Sequence, residues 1–344
     1  MKAAILKDGK IEIQDLPAPT PPGDEEARIR ITAAGVCHSD LHGVRGDWAG
    51  MPSQWRSGVL GHEAIGIVEE LGPGAERYVA VGDRVILGLG GLGGYWCGAC
   101  EFCLGGETRH CPQAEGINGT FVEQKCLWAK ALVKLPDTVG DEEAGLSCGG
   151  LTAYGAVKKL FKHHIQPGRH VAIVGAAGGL GHYAVQIATT FGYKVVGIDI
   201  GEERLKFVES LGAKLAVSAD EAVEAVQQFG GVDAAIVFSA SIAGFNLGLQ
   251  MLRKSGLFVA CGLPPTSEGN FGLDPFLWNQ KGGTLTASVV GNVQEMRELV
   301  DMVAAEEVKS HIGRSGPLSD LNAILDELEE GKYLGRAVIT DLGS

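Results

Sequence analysis

The sequence predicts an α/β protein: a β-rich, barrel-like domain followed by a doubly wound parallel sheet. Three observations predict it. Residues 1–150 break into short alternating or β-branched runs between Gly and Pro turns. From Leu151 the texture becomes strand, turn, helix, strand, repeated, as a parallel sheet with crossover helices requires. At the first of these turns, "VAIVGAAGGLGHYAVQIA", glycines sit where an apolar strand runs into a helix. The 344 residues accordingly divide into 1–150, 151–286 and a C-terminal segment 287–344 that returns to the first domain.

In the first domain "KAAIL", "KIEIQDL", "ARIRITAAGV", "AIGIVEELG" and "GDRVILG" read as strands. "TAYGAVKKLFK" (152–162) opens the helical texture. "HVAIVGAAGGLGHYAVQIATTFGYKVVGIDI" then reads strand, Gly-rich turn, helix, strand. "GEERLKFVESLGA" is a helix with a Gly stop, and "KLAVSA" a short strand. "VDAAIVFSA" and "GLFVACGL" are buried strands. "VQEMRELVDMVAAEE" and "LSDLNAILDELEEG" are amphipathic helices, and "GRAVIT" is a last strand.

Composition narrows the function classes. Hydrophobic residues make up 45% of the chain and the net charge is −13. An acidic chain repels phosphate backbones, and the densest basic patch, "KKLFKHH" (158–164), reads as one helical face. Nucleic acid is therefore not an expected partner. No apolar run approaches the roughly 20 residues that cross a bilayer. The N-terminal stretch alternates like a strand and lacks the apolar centre of a signal peptide. A cytoplasmic protein is expected, and in a reducing compartment clustered cysteines favour metal over disulfides.

The glycine turn Gly175, Ala176, Ala177, Gly178, Gly179, Leu180, Gly181 lets backbone approach a pyrophosphate, and the following helix offers its free N–H groups. Asp199 ends the second strand, where a carboxylate accepts from ribose hydroxyls and repels a 2′-phosphate; this favours NAD over NADP. Arg204, nearby, could soften that preference, or be a solvated helix charge. Four cysteines, Cys97, Cys100, Cys103 and Cys111, stand at C-x₂-C-x₂-C-x₇-C. Four such thiolates form a closed tetrahedral site with no position for substrate, although spacing alone also admits an iron–sulfur cluster. Cys37, His62 and Cys148 could make a three-ligand zinc set, but they are far apart in sequence and read equally as buried core residues.

"CHSDLH", "GHE", the four-cysteine lobe, "SCGGLTAY", "GAAGGLG", Asp199 and "GRAV" occur in this order. Over nearly its whole length the chain resembles the zinc-dependent medium-chain alcohol dehydrogenases, in particular the short tetrameric microbial type. The resemblance implies a GroES-like catalytic domain, a Rossmann dinucleotide domain, NAD, two zinc ions per chain and a homo-tetramer. It implies that Cys37, His62 and Cys148 hold a catalytic zinc with Glu63 beside it. Asp40 would orient the zinc histidine. Ser39 and His42 would form a proton relay ending at a surface histidine, and Cys97, Cys100, Cys103 and Cys111 would hold a structural zinc. His38, Thr152, Arg336, Cys261, Gly262, Leu263, Ser288, Val289 and Val290 match cofactor contacts. Trp48 matches a substrate-pocket aromatic, and, counting back from Cys97, Leu92 or Gly93 falls where relatives place a bulky pocket wall. The relay hydroxyl is Ser39 where many relatives use threonine. The activity implied is reversible oxidation of primary and some secondary alcohols, with medium-chain or aromatic alcohols favoured by the enlarged pocket. A zinc-free NADPH quinone reductase of the same fold is opposed by Cys37, His62 and Cys148. A zinc-stabilised nucleic-acid-binding protein is opposed by the net charge of −13 and the absence of basic patches, and a structural or regulatory relic that binds cofactor without turnover by the intact relay.

Overall fold

The computed structural model of the chain describes residues 1–48, 57–88 and 93–344. The chain opens with the hairpin β1 (Lys2–Lys7) and β2 (Lys10–Asp15). Lys7 pairs with Lys10, so Asp8 and Gly9 form the whole turn, at φ 52° and 75°. A two-residue turn with both residues at positive φ matches the strand twist, and Asp-Gly is a sequence that tolerates it.

β3 (Glu26–Val36) is the long strand on which the first unit is built. It delivers its last residue to Cys37 and the short helix α1 (His38–Arg45). The edge piece β4 (Gly58–Val59) pairs with β1. β5 (Ile65–Leu71) pairs antiparallel with β3, and β6 (Arg84–Leu87) with β5. A lobe follows: β7 (Gly93–Tyr95), the single-turn α2 (Glu101–Leu104) and β8 (Glu115–Gly116). β9 (Gln124–Trp128) returns to β3, and β10 (Leu132–Lys134) lies on β6. A 3₁₀ stretch over 141–147 leads to Cys148 and α3 (Gly149–Lys162).

The second unit is one parallel sheet in the order β13-β12-β11-β14-β15-β16. Its strands are β11 (His170–Val174), β12 (Lys194–Asp199), β13 (Leu215–Ser218), β14 (Val232–Val237), β15 (Leu252–Ala260) and β16 (Thr284–Ala287). The helices between them are α4 (Gly181–Thr190), α5 (Glu202–Ser210), α6 (Ala222–Gln227), α7 (Ile242–Met251) and α8 (Pro275–Lys281). β14 is buried at all six residues, as a strand covered on both faces must be. The order reverses at β11, where the flanking strands β12 and β14 diverge; this is the crevice in which such sheets bind ligands.

The chain then returns to the first unit through α9 (Val293–Ala304), β17 (Ile312–Pro317), α10 (Leu321–Glu329) and β18 (Arg336–Asp341). The two units are residues 1–151 with 290–344, and residues 152–289. β18 pairs antiparallel with the end of β3, bringing Ala337 opposite Val36. Asn292 and Glu295 form a reciprocal cap on α9, where "N-V-Q-E" carries the sequence signal. On α10, Leu321, Ile324 and Leu325 are buried at i, i+3, i+4, each contributing about 1.5–3 kcal/mol of apolar burial. They join Leu6, Ile31, Leu60 and Phe121 in the core of the first unit. β17 was not expected. Its "IGRSGP" has neither alternation nor β-branched residues beyond Ile312, and it is a strand because β18 offers it a free edge.

Candidate metal centres and dinucleotide site

Cys37 caps α1 in extended conformation, φ −120° and ψ 152°. Its N–H donates to Asp40 Oδ2 at 2.9 Å, so the first turn of α1 is closed by an aspartate that is itself fully buried. The other oxygen of Asp40 lies 3.2 Å from His62 Nδ1. His62 and Glu63 precede β5, and Cys148 precedes α3. One ligand atom from each of Cys37, His62, Glu63 and Cys148 lies within 4.8 Å of all the others. Asp40 engages Nδ1, so Nε2 is the nitrogen of His62 that serves a metal. A tetrahedral zinc with Zn–S near 2.3 Å has ligand–ligand edges of roughly 3.8 Å, so the cluster is of the right size and donor type.

The electrostatics agree. The Cys37 thiol is held well below the usual range, first by hydrogen bonding with Cys148, while the same contact pushes Cys148 up. Burial opposes charge on His62, yet Asp40 and then Cys37 raise it well above the ordinary imidazole value. Burial lifts Glu63 to about 7, against the pull of Arg336, whose buried guanidinium contacts its carboxylate. Gly35 is required here. A methyl on it would collide with the Glu63 carboxylate, so β3 can pass the site only as bare backbone.

Ser39 and His42 are three apart on α1 and share a face. His42 is not the surface histidine expected: its residue exposure is 5%. The reason is the helix stop. Gly46 takes the left-handed conformation, φ 68°, and folds the chain back, so that Asp47 Oδ2 lies 2.7 Å from His42 Nδ1. The Trp48 ring sits 4.6 Å from the imidazole. His38 is exposed, its ring 5.9 Å from that of His42. Asp47 was not singled out from the sequence; the signal available was the Gly stop that places "D-W" just past the helix. Leu92 lies outside the described residues.

The four lobe cysteines also converge, their sulfurs all within 4.8 Å of one another and Cys97 to Cys103 at 3.9 Å. Gly98, at φ 74°, makes the tight turn between the first pair. Backbone N–H groups point at sulfur: Cys100 to Cys97, and Cys97 and Gln113 to Cys111, each at 3.4 Å. The N–H groups of Ala99 and Cys100 pull the Cys97 thiol down to about 6. Burial pushes the Cys103 thiol the other way, up to about 12, and among the described residues the metal-ligating group here consists of these four cysteines.

In the parallel-sheet unit the glycine turn stands between β11 and α4. Gly175 is at φ 82°, and a methyl on Gly181 would strike the Gly175 carbonyl and Ala176. Ala176, where the usual hexad has glycine, is fully buried; its methyl faces Gly197 of β12, whose missing side chain makes the room. Asp199 is 8% exposed and accepts from Ala177 N–H at 2.7 Å and from Ile200 N–H at 2.9 Å. Arg204 Nη1 is 3.7 Å from its carboxylate. Gly178, Gly179 and Leu180 complete the turn and are partly exposed. Cys261, Gly262 and Leu263 follow β15; a methyl on Gly262 would strike the Ser239 carbonyl, and Leu263 is exposed. Ser288 N–H donates to Ala260 at 2.9 Å, with Val289 after it. Thr152 on α3 is buried, as are Val290 (φ 52°) and Arg336 in the first unit.

A β-rich unit with a buried thiolate–imidazole–carboxylate cluster, and a doubly wound unit with a glycine-turn crevice, define a metal- and dinucleotide-dependent oxidoreductase. Comparisons agree. Residues 23–137 match the alcohol dehydrogenase GroES-like domain and residues 179–305 the zinc-binding dehydrogenase domain. An alcohol dehydrogenase of Moraxella sp. (strain TAE123) is 37% identical, with 98% of this chain and 99% of that one covered. The crystal structure of the alcohol dehydrogenase of Aeropyrum pernix superposes with a TM-score of 0.89 at 33% identity, covering 99% and 100%. An acetophenone reductase of Geotrichum candidum, solved in complex with NAD, gives 0.84 at 26%, covering 99% and 97%. The chain belongs to the zinc-type medium-chain alcohol dehydrogenase family and is an oxidoreductase of that family.

Proposed function

We propose that the chain is an NAD-linked alcohol dehydrogenase with two zinc sites, acting on primary and some secondary alcohols. The observation that carries this is the buried cluster of Cys37, His62, Glu63 and Cys148 with Asp40 on His62 Nδ1. A zinc held there would supply a Lewis acid that polarises an alcohol oxygen and lowers its pKa, and NAD would supply the hydride acceptor. Cys37 and Cys148 supply thiolates, His62 supplies Nε2, and Asp40 fixes its tautomer. Glu63, within the cluster and in contact with Arg336, is a further carboxylate donor. The hydroxyl of Ser39 hands the substrate proton onward, and His42 takes it at a ring nitrogen. Cys97, Cys100, Cys103 and Cys111 hold a second zinc that pins the lobe and does no chemistry. The glycine turn receives the pyrophosphate of NAD, and Asp199 the adenosine ribose. His38, Thr152, Arg204, Arg336, 261–263 and 288–290 complete the cofactor contacts. Trp48 and Leu92 border the substrate.

The test is an NAD-linked activity screen over primary, secondary and aromatic alcohols, with zinc counted on the same protein. Turnover only with NADPH and a quinone, or a zinc-free active protein, would overturn the reading.

The protein acts in the cytoplasm as a homo-tetramer. No helix among the described residues is long and apolar enough to cross a membrane. β16 ends its sheet with an open edge and an exposed Leu285, and on α8 Phe276 and Leu277 are 71% and 64% exposed. An open apolar strand edge is a template for a second copy. Sedimentation should find a tetramer, and Leu285→Lys with Phe276→Asp a smaller species. Wild-type protein sedimenting as a monomer overturns this.

A further inference from the structure

We propose that Asp47 is the positioning residue of the proton path. It fixes His42 with its proton on Nδ1 and its lone pair on Nε2. This rests on His42 being the relay base, and adds to it a residue with no role in that scheme.

The geometry is specific. Asp47 Oδ2 lies 2.7 Å from His42 Nδ1, a short charge-assisted contact. A carboxylate can only accept, so the imidazole must donate from Nδ1. Neutral His42 then has Nε2 free to take a proton, and only in that tautomer. The pair is sheltered, the side chains being 7% and 20% exposed. It is also fixed by backbone. Asp47 N–H donates to the His42 carbonyl at 3.1 Å and Gly46 N–H to Gly43 at 3.3 Å, so the left-handed Gly46 locks Asp47 over the helix end. The Trp48 ring closes the imidazole from another side. The nearest cation of the same turn, Arg45, is engaged by Glu329 of α10 and does not take the carboxylate. Among the described residues, His38 places a second imidazole beside the ring. When Nε2 takes a proton, Asp47 stabilises the imidazolium in place, and Nε2 then gives the proton up to solvent base, which restores the Nδ1–H tautomer. Asp47 thus stands to His42 as the buried aspartate stands to the histidine of a hydrolase triad.

A double-mutant cycle tests this on the complete enzyme at one near-neutral pH. The proteins are wild type, Asp47→Asn, Asp47→Ala, His42→Ala and His42→Ala/Asp47→Ala. Asp47→Asn keeps the shape but removes the charge and can offer Nδ1 either a carbonyl oxygen or an N–H, so the Nδ1–H tautomer is no longer obligatory. We expect alcohol oxidation (kcat) to fall about 10- to 100-fold in Asp47→Asn, the scale of a mispositioned general base, with KM nearly unchanged. Added imidazole should restore part of it. In the His42→Ala background, removing Asp47 should cost nothing more. Nitrogen-15 shifts of labelled His42 should report Nδ1–H in wild type and a loss of that preference in Asp47→Asn and Asp47→Ala, a readout independent of turnover. Asp47→Asn at wild-type rate while His42→Ala is impaired overturns the role of Asp47 and leaves the relay standing. Wild-type rate in His42→Ala overturns the relay itself. Additive losses in the double variant, with unchanged nitrogen shifts, reduce Asp47 to a structural residue and also overturn the proposal.

Discussion

Asp199 is expected to do more than choose between NAD and NADP, and the consequence is measurable. Its two oxygens accept from Ala177 N–H at 2.7 Å, inside the glycine turn, and from Ile200 N–H at 2.9 Å. The side chain is nearly buried. Asp199→Ala strands both donors. Only the Ala177 bond holds the turn; a hydrogen bond to a charged acceptor contributes about 1.5–3 kcal/mol and water entering the vacated space recovers part of it, so the ordered turn loses roughly 1–2 kcal/mol. At about 1.4 kcal/mol per tenfold, that is about 5- to 30-fold in affinity for whatever needs the turn in place. A residue acting on the ribose alone would lose NAD and gain NADP when truncated. A residue that also holds the turn loses NAD on both counts, and its NADP gain is offset. Asp199→Asn keeps a side-chain carbonyl for Ala177 and drops the charge, so it should give the larger absolute gain for NADP. Calorimetry with adenosine, ADP, NAD and NADP separates the contributions. Asp199→Ala should weaken ADP, which reaches the turn with its phosphates, more than adenosine, which meets only the ribose site. Equal losses for adenosine and ADP, with NADP bound as well by Asp199→Ala as by Asp199→Asn, would refute the holding role. A wild-type preference for NADP would refute the ribose role as well.

Three further outcomes are expected. Cys37→Ala should lose one zinc and all turnover while the fold survives, whereas Cys100→Ala should lose the other zinc and lower Tm; wild-type protein that carries one zinc or none after careful purification contradicts both. Gly35→Ala drives a methyl into the Glu63 carboxylate, so it should cost about 1–3 kcal/mol of stability and most of the activity; unchanged Tm and kcat would show that β3 can yield there. Benzyl, cinnamyl or medium-chain alcohols should exceed ethanol in kcat/KM by on the order of tenfold, since each extra methylene fitted in a hydrophobic pocket contributes about 1–3 kcal/mol, and Leu92→Trp should reverse the order; a kcat/KM highest for ethanol and falling with chain length would end that reading.

What the sequence makes legible is what is local. The Asp8-Gly9 turn, the glycines between β11 and α4, the cap at Asn292 and the lobe cysteines each act within one short stretch, and each is visible as a pattern. What depends on distant pairing is not. Cys37 and His62 meet because β3 pairs with β5, and Cys148 joins them because its neighbours Ser147 and Gly149 bond to Ala64 and Glu63, a placement that no spacing encodes; only the family resemblance joined them. β17 exists because β18 has an edge to offer, and Gly35 is required because Glu63 crosses it. The burial of His42 follows from one left-handed glycine four residues later. The three aspartates of the sites show why such contacts evade a motif search. Asp40 takes the Cys37 N–H with one oxygen and His62 with the other; Asp199 joins a strand end to the glycine turn; Asp47 takes His42. In each case a short, acceptor-only side chain on a fixed backbone aims a neighbouring group. A glutamate at any of the three would keep the charge and lengthen the reach by one methylene, so it would lose the aim. Charge alone therefore does not define these positions, and an Asp→Glu exchange should distinguish aim from charge at each of them.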